Sequence, residues 1–321
     1  MSLAFQIVIA FLADLLLGDP KGYPHPVKAI ARLAYAIEGL SKKFLSNLKL
    51  AGIVTTVTVV ATSFLMVWLI IQGLNHIHPW LGLTASIFFI YTSLSVRSLF
   101  DESRPVLQYL KEANLSKARE SLSMIVGRDT ASLGESEIVR ATVETVAEST
   151  VDGIVAPLFF AVLGGAPLVI AYKAINTMDS LFGYKNETYR NFGWASARLD
   201  DLANWIPARL ALPVIAVGAV FCGSSGRESM AIAMRDGSKH PSPNSGLPEA
   251  AMAGALGIRL GGTSFYSGVL NEKPFIGDNL RDLELSDITQ SHKIMFTASL
   301  LVLAGVISIE IFFNQPFYNF I

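Results

Sequence analysis

Arg140, Glu144, Glu148 and Asp152 stand four residues apart in the sequence. In an α-helix each step of four drifts by only ~40°, so the four side chains share one stripe. Three carboxylates in a row repel one another unless something positive lies against them. Hard oxygen ligands of this kind suit Mg²⁺, which commonly bridges to substrate phosphates. The neighbouring positions are Val139, Ala141, Val143, Val146 and Ala147, and an apolar stretch follows at once. A solvated helix face is therefore the weaker explanation, and a metal or phosphate role for Glu144, Glu148 and Asp152 the stronger. Ser132-Leu-Gly-Glu135 has the form of a capping box and predicts where this helix starts.

Three further groups carry polar side chains where the composition does not favour them. Arg198, Asp200, Asp201, Asn204 and Arg209 lie at the entrance to an apolar run, with Asn176, Asp179, Tyr184, Lys185 and Asn186 upstream. Ionisable groups at membrane depth are costly and usually pair with one another or serve a site. A purely structural Asp–Arg pair is the plainer alternative here. Arg235-Asp236-Gly237-Ser238-Lys239-His240-Pro241-Ser242-Pro243-Asn244 reads as a constrained loop, rich in groups that grip phosphate or carboxylate. Gly254, Gly257, Gly261 and Gly262 follow it and allow close backbone approach. At the front, Asp14 sits inside an apolar run, and Asp19 and His25 follow among Gly18, Pro20, Pro24 and Pro26.

These groups have to be positioned by an apolar scaffold. The chain has 321 residues, is 51% hydrophobic and only 16% charged, and carries a formal net charge of −1. Soluble domains carry about 25% charged residues, so an ordinary soluble enzyme is a poor fit and a membrane protein a good one. Near-neutral charge excludes the basic footprint of a nucleic-acid binder. The single cysteine, Cys222, excludes an intrachain disulfide and a cysteine zinc site. Walker A, Gly-x-Gly-x-x-Gly, Gly-x-Ser-x-Gly and His-Glu-x-x-His patterns are all missing. No repeat or flexible linker divides the chain, so one domain over 1–321 is expected.

Between Lys49 and Arg97 there is no Asp, Glu, Lys or Arg, a gap of 47 residues. A span needs ~20 apolar residues, so the gap predicts two, near 51–73 and 81–99, joined by an interfacial turn at Asn75–Trp80. Further spans are predicted near 3–17, 153–172, 206–222 and 294–312. The first reads as a retained helix rather than a signal peptide, and 153–172, with Pro157, Gly164, Gly165 and Pro167, as kinked or re-entrant. The expected fold is all-α: a polytopic integral membrane bundle of about five to eight transmembrane or re-entrant helices with substantial cytoplasmic helical loops. With six crossings, loops 18–50, 100–152 and 223–293 share one side and hold nineteen Lys/Arg, against four in 173–205. The positive-inside rule places those three loops in the cytoplasm. It also strands the motifs of 173–205 outside, unless that segment folds back to membrane depth; a cysteine at position 186 would then not label from outside only.

The matching stretches now add up to a resemblance. They are Gly18-Asp19-Pro20, Pro24-His25-Pro26-Val27, Gly127-Arg128-Asp129-Thr130, VETVAESTVDGIVAPLF at 143–159, NTMDS at 176–180, GWASARLDDLANWIPARL at 193–210 and DGSKHPSPNSGLPEAAMAGALGIRLGG at 236–262. Collinear over nearly the whole chain, they resemble the adenosylcobinamide-phosphate synthase family of cobalamin biosynthesis (CbiB/CobD), which are integral membrane proteins. Ser149 departs from the asparagine of the family's version of that helix.

The resemblance implies condensation of adenosylcobyric acid with (R)-1-amino-2-propanol phosphate or ethanolamine phosphate, an amide-bond formation that uses ATP and Mg²⁺. A carboxylate is a poor acyl donor and has to be activated first, a step that needs Mg²⁺ and cations around the transferring phosphoryl oxygens. On this reading Glu144, Glu148 and Asp152 hold Mg²⁺, with Asp200 and Asp201 as further candidates. Arg128, Arg198, Arg235, Lys239 and His240 grip phosphates. Asp129 or Asp179 serves as general base, with Asp200, Asp201 and His240 grouped with them as catalytic. The remaining residues of the matched segments, Asp14, Asp19, His25, Arg140, Asn176, Asn204, Arg209, Ser242, Asn244 and Glu249, fall to substrate and phosphate binding. The implied partners are the corrinoid, the amino-alcohol phosphate and the lipid bilayer, with a homo-oligomer or a complex with other cobalamin-assembly membrane enzymes left open. The implied location is the cell membrane, with the site facing the cytoplasm. A Mg²⁺-dependent transferase acting on a lipid diphosphate also fits helically spaced carboxylates, and a transporter is a third alternative.

Overall fold

The computed structural model describes residues 2–19, 25–184, 187–266 and 268–313. Pro20, Pro24, Lys185 and Asn186 of the motifs, and with Asn186 the labelling position, lie outside that set. The helices are α1 (Leu3–Leu17), α2 (Pro26–Phe44), α3 (Leu48–Ile77), α4 (Pro79–Tyr91), α5 (Val96–Lys111), α6 (Leu115–Ser123), α7 (Glu135–Thr150), α8 (Ala156–Phe182), α9 (Trp194–Ala203), α10 (Trp205–Phe221), α11 (Gly226–Asp236), α12 (Gly246–Leu256) and α13 (Leu285–Phe313). A π-helical turn, Val151–Val155, follows α7, and a short 3₁₀ turn, Gly237–Lys239, follows α11.

Among the described residues four stretches are long and apolar enough to cross a membrane: Leu48–Ile77, Pro79–Lys111, Glu135–Phe182 and Leu285–Ile309. The pair Trp194–Ala203 and Trp205–Phe221, bent by 43°, makes a fifth if it forms one span. The protein is therefore a helical membrane protein. The first expected span is too short: α1 has 15 residues, or ~22 Å against a ~30 Å hydrocarbon core. The stretch expected at 81–99 stops being α4 at Tyr91 and resumes as α5 at Val96. The expected interfacial turn is a single residue, His78, which caps α4 by accepting the Trp80 N–H at 3.3 Å. The break expected in 153–172 falls at Gly164 and Gly165, where Gly165 takes φ 61° and ψ −154°, a conformation that side chains resist. Segment 173–205 is largely helical, not a loop.

One local expectation is corrected, and one element is added to the all-α bundle. The helix bearing the carboxylate stripe starts at Gly134, not Ser132, and the Glu137 carboxylate accepts the Gly134 N–H at 2.8 Å. The all-α scaffold also carries one small antiparallel hairpin, β1 (Leu260–Tyr266) with β2 (Val269–Ile276). Its first strand opens on Gly261 and Gly262 with φ 80° and 83°. A β-carbon on Gly261 would lie 2.3 Å from the Pro274 carbonyl oxygen, so only glycine lets the strands close there.

The chain groups into two compact units, each built from separated stretches, and composition along the sequence therefore marks no boundary. The first comprises Met1–Ser95, Ala156–Asn204 and Gly305–Ile321. Its helices meet through small and polar groups: the Ser41 and Thr55 hydroxyls lie 2.7 Å apart, and Ser86 donates to Gln6 at 2.6 Å. Such contacts suit helix association in lipid, where apolar burial supplies little drive. The second comprises Val96–Val155 and Trp205–Ala304. Its core includes Val139, Val143, Ile215, Ala250, Met252 and Ile288, so the apolar side of α7 holds the carboxylate stripe in place.

Candidate functional site

In the second unit α7 supplies Glu144 and Glu148, and the segments around it supply their partners. Arg128 donates from Nη2 to Glu144 Oε2 at 2.6 Å, and Gly261 N–H donates to Glu144 Oε1 at 2.8 Å. One turn on, Glu148 Oε1 accepts the Ser245 hydroxyl at 2.8 Å. Ser245 is held by the loop before α12, in which the Ser242 hydroxyl oxygen accepts the N–H groups of both Asn244 and Ser245 at 3.2 Å.

Next to this row lies a buried histidine–glutamate pair. The side chains of His240 and Glu249 are 7% and 2% exposed, with Nε2 and Oε1 3.8 Å apart. His240 Nδ1 accepts the Ser242 N–H at 3.0 Å, which places the proton of the neutral ring on Nε2. His240 Nε2 and Glu249 Oε2 are buried without a hydrogen-bond partner. Burial first, and then the charges of Glu144 and Glu148, push Glu249 well above the ordinary glutamate value, against Lys273 and Arg128. Burial and then Lys273 hold His240 below its ordinary value. Buried polar atoms left unpaired are uncommon and costly. A buried acid and base with open valences, beside the hydrogen-bonded carboxylates of Glu144 and Glu148, can bind and move a proton.

Several residues expected at phosphates are engaged elsewhere. Arg140 donates to the carbonyls of Gly261 and Thr263 at 2.5 and 2.9 Å and so anchors the hairpin. Arg235 forks onto Asp236, both bonds 2.8 Å, and also reaches Asp278, while Lys239 lies 2.6 Å from Asp236. Asp129 holds the hairpin tip, accepting the Gly268 N–H at 2.7 Å and donating its own N–H to Phe265 O at 2.8 Å. Arg209 bonds its own helix at Trp205 O, 2.7 Å, and stacks on the Trp205 ring. Sequence reasoning gave no role to Ser245, Lys273, Asp236 or Asp278. For Asp236 a signal was present, an acid between Arg235 and Lys239.

Asp236 also yields a pH prediction. Arg235 above all, with Lys239 and the Gly277 N–H, holds its carboxyl far below the ordinary aspartate value. The unfolded chain therefore binds the extra proton. The stabilisation is complete above the unfolded value of about 3.9 and is lost as pH falls through and below it. Asp236→Asn is expected to melt lower than wild type at pH 7, with the gap closing toward pH 3; thermal melts across that range check it.

The carboxylate stripe is not a preformed metal site. Among the described residues no three His, Cys, Asp or Glu side chains are grouped so as to hold an ion. Both Glu144 oxygens are bonded to protein donors, Glu148 is bonded to Ser245, and Asp152 falls in the π-helical turn beyond the end of α7. The stripe does not fit a resident Mg²⁺ held by Glu144, Glu148 and Asp152.

The first unit gathers the other expected residues. Asp200 Oδ2 accepts the Asn204 amide at 3.0 Å, and Tyr172 OH donates to Asn204 Oδ1 at 2.9 Å. Asn176 also hydrogen-bonds Asp200, and the charges of Asp179 and Asp201 bear on it. Arg198 is 3.7 Å from Asp201 and largely exposed. Asp14 is buried at the end of α1, where Tyr91 OH donates to Gly18 O at 2.5 Å. Asp19 is 3.3 Å from His25, which burial nonetheless holds below its ordinary value. Asn176, Asp200 and Asn204 thus form a polar group in the first unit, and Arg128, Glu144, Glu148, His240 and Glu249 one in the second, while Asp129, Arg140, Arg209, Arg235 and Lys239 are held elsewhere.

Apolar helices that carry such polar groups define a polytopic membrane protein. The family model described as CobD/Cbib protein matches residues 7–295. The chain is 48% identical over 92% of its length, and 94% of the relative's, to the "Cobalamin biosynthesis protein CobD" of Leptospira interrogans. It is 47% identical to the protein of that name from Geobacter metallireducens, covering 94% of this chain and 96% of the relative. The "Cobalamin biosynthesis protein CbiB" of Salmonella typhimurium is 45% identical, over 94% of this chain and 95% of its own. The chain belongs to the CobD/Cbib family. No solved structure matches it.

Proposed function

We propose that the protein is a membrane enzyme of cobalamin biosynthesis. It joins the free propionate carboxyl of adenosylcobyric acid to the amine of (R)-1-amino-2-propanol phosphate or ethanolamine phosphate and yields adenosylcobinamide phosphate. ATP activates the carboxyl, and Mg²⁺ arrives with the nucleotide phosphates rather than on a protein cluster. The relatives' names support the pathway. The observation that carries the chemistry is the buried pair His240 and Glu249, whose Nε2 and Oε2 lack partners. Amide formation from an ammonium requires a proton acceptor, and this pair has the open valence to be one. The six Lys/Arg of 223–284, the segment that holds His240 and Glu249, support a site facing the cytoplasm.

Purified protein given adenosylcobyric acid, the amino-alcohol phosphate, ATP and Mg²⁺ is expected to form the amide. A lipid-linked product, or transport without a covalent product, would overturn the reading. Glu148→Gln, which weakens the bond that positions Ser245, and Asp200→Asn, which alters the first-unit group, are each expected to abolish conversion. Both variants should remain in the membrane fraction at wild-type amounts.

A further inference from the structure

Resting on the amide-forming reaction just proposed, we infer that Glu249, oriented by His240, is the base that takes the proton from the amine nucleophile. The Ser242 N–H occupies His240 Nδ1 and directs the remaining ring proton toward Glu249 Oε1. Oε2 is left open and buried. Charge reaches the pair from α7, from β2 and from the loop before α7. Arg128 and Lys273 are the cations, and Glu144 and Glu148 are the anions. Arg128 is tied to Glu144, and Glu148 is engaged by Ser245. Glu249 keeps a buried oxygen with no hydrogen-bond partner, and an incoming ammonium gives its proton there. Burial and the neighbouring anions make Glu249 a stronger base than an exposed glutamate.

The step balances as follows. The ammonium gives one proton to Glu249, and the free amine attacks the carbonyl of an acyl phosphate made from the corrinoid carboxylate and a nucleoside triphosphate. The C–N bond forms, the C–O bond to phosphate breaks, and the phosphate departs with that electron pair and the second nitrogen proton. Glu249 then releases its proton to water. His240 is a positioning residue in this scheme.

The test uses two nucleophiles with wild type, Glu249→Gln, Glu249→Asp and His240→Gln. The amino-alcohol phosphate is protonated at neutral pH and needs a base, whereas hydroxylamine is already uncharged and does not. Glu249→Gln is expected to lose ~10²–10⁴-fold in amide formation yet to form the hydroxamate near the wild-type rate. Glu249→Asp should restore part of the amide rate. His240→Gln should displace the pH profile of kcat with little change in KM. A wild-type amide rate in Glu249→Gln, or equal loss with both nucleophiles, would overturn the role of base. A wild type that forms neither amide nor hydroxamate would overturn the amide-forming reading itself.

Discussion

Arg128→Met is expected to destabilise the protein by about 3–5 kcal/mol, the usual cost of leaving one member of a buried ion pair uncompensated. The Arg128 and Glu144 side chains are 9% and 4% exposed and only 2.6 Å apart. Without the guanidinium, Glu144 keeps the Gly261 N–H at 2.8 Å and an Arg140 Nε at 4.0 Å, too little to replace a charge-assisted bond. Because Glu144 also fastens the first strand of the hairpin, the damage should spread to β1, and the hairpin should become the first protease-sensitive segment. The double variant Arg128→Met/Glu144→Leu removes both charges, and apolar replacement of a buried pair is often neutral or stabilising. It should melt well above the single variant while remaining inactive. Melts in detergent of the wild type, the single and the double variant separate the two effects. A loss below ~1 kcal/mol in the single variant would class the pair with solvated surface bridges.

This pair also shows what the sequence reveals. The carboxylate stripe is legible because i+4 spacing in a helix is a local rule, and Glu144 and Glu148 do sit one turn apart on α7. Their partners are not legible. Arg128 and Ser245 come from loops, and the backbone N–H of Gly261 comes from a hairpin that no alternation of polar and apolar residues announces. The same limit explains the cations assigned to phosphate. Arg140, Arg235 and Lys239 look available in a linear reading, but carbonyls of β1 and the carboxylates of Asp236 and Asp278 claim them. His240 and Glu249 were each singled out, yet nothing in their spacing shows that they face one another with open valences. The membrane spans were readable from length and hydropathy. Their ends were set by local chemistry instead: the His78 cap, the Gly164–Gly165 break and the non-helical turn after Tyr91.

Gly52→Ala is expected to abolish accumulation of folded protein, although in a bare helix the change would favour folding by about 1 kcal/mol. Gly52 lies in α3, and a β-carbon there would stand 1.8 Å from the carbonyl oxygen of Phe192 and 2.7 Å from its carbon. Backbone, not a flexible side-chain tip, occupies the space, so the helix and the segment ending at Phe192 must separate. Phe192 is itself fixed, 1% exposed and packed edge-on against Phe182, with Lys42 above its ring. Moving it opens the aromatic cluster of the first unit and shifts the segment that leads into α9, which carries Asp200 and Asp201. Gly39→Ala is the matched control: also helical, with nothing within 4 Å of the new β-carbon, it should be tolerated or slightly stabilising. Membrane-fraction yield and thermal melts of the two variants decide the matter. Equal yields would mean that α3 does not contact the Phe192 backbone, and the close packing of the first unit described above would then be wrong.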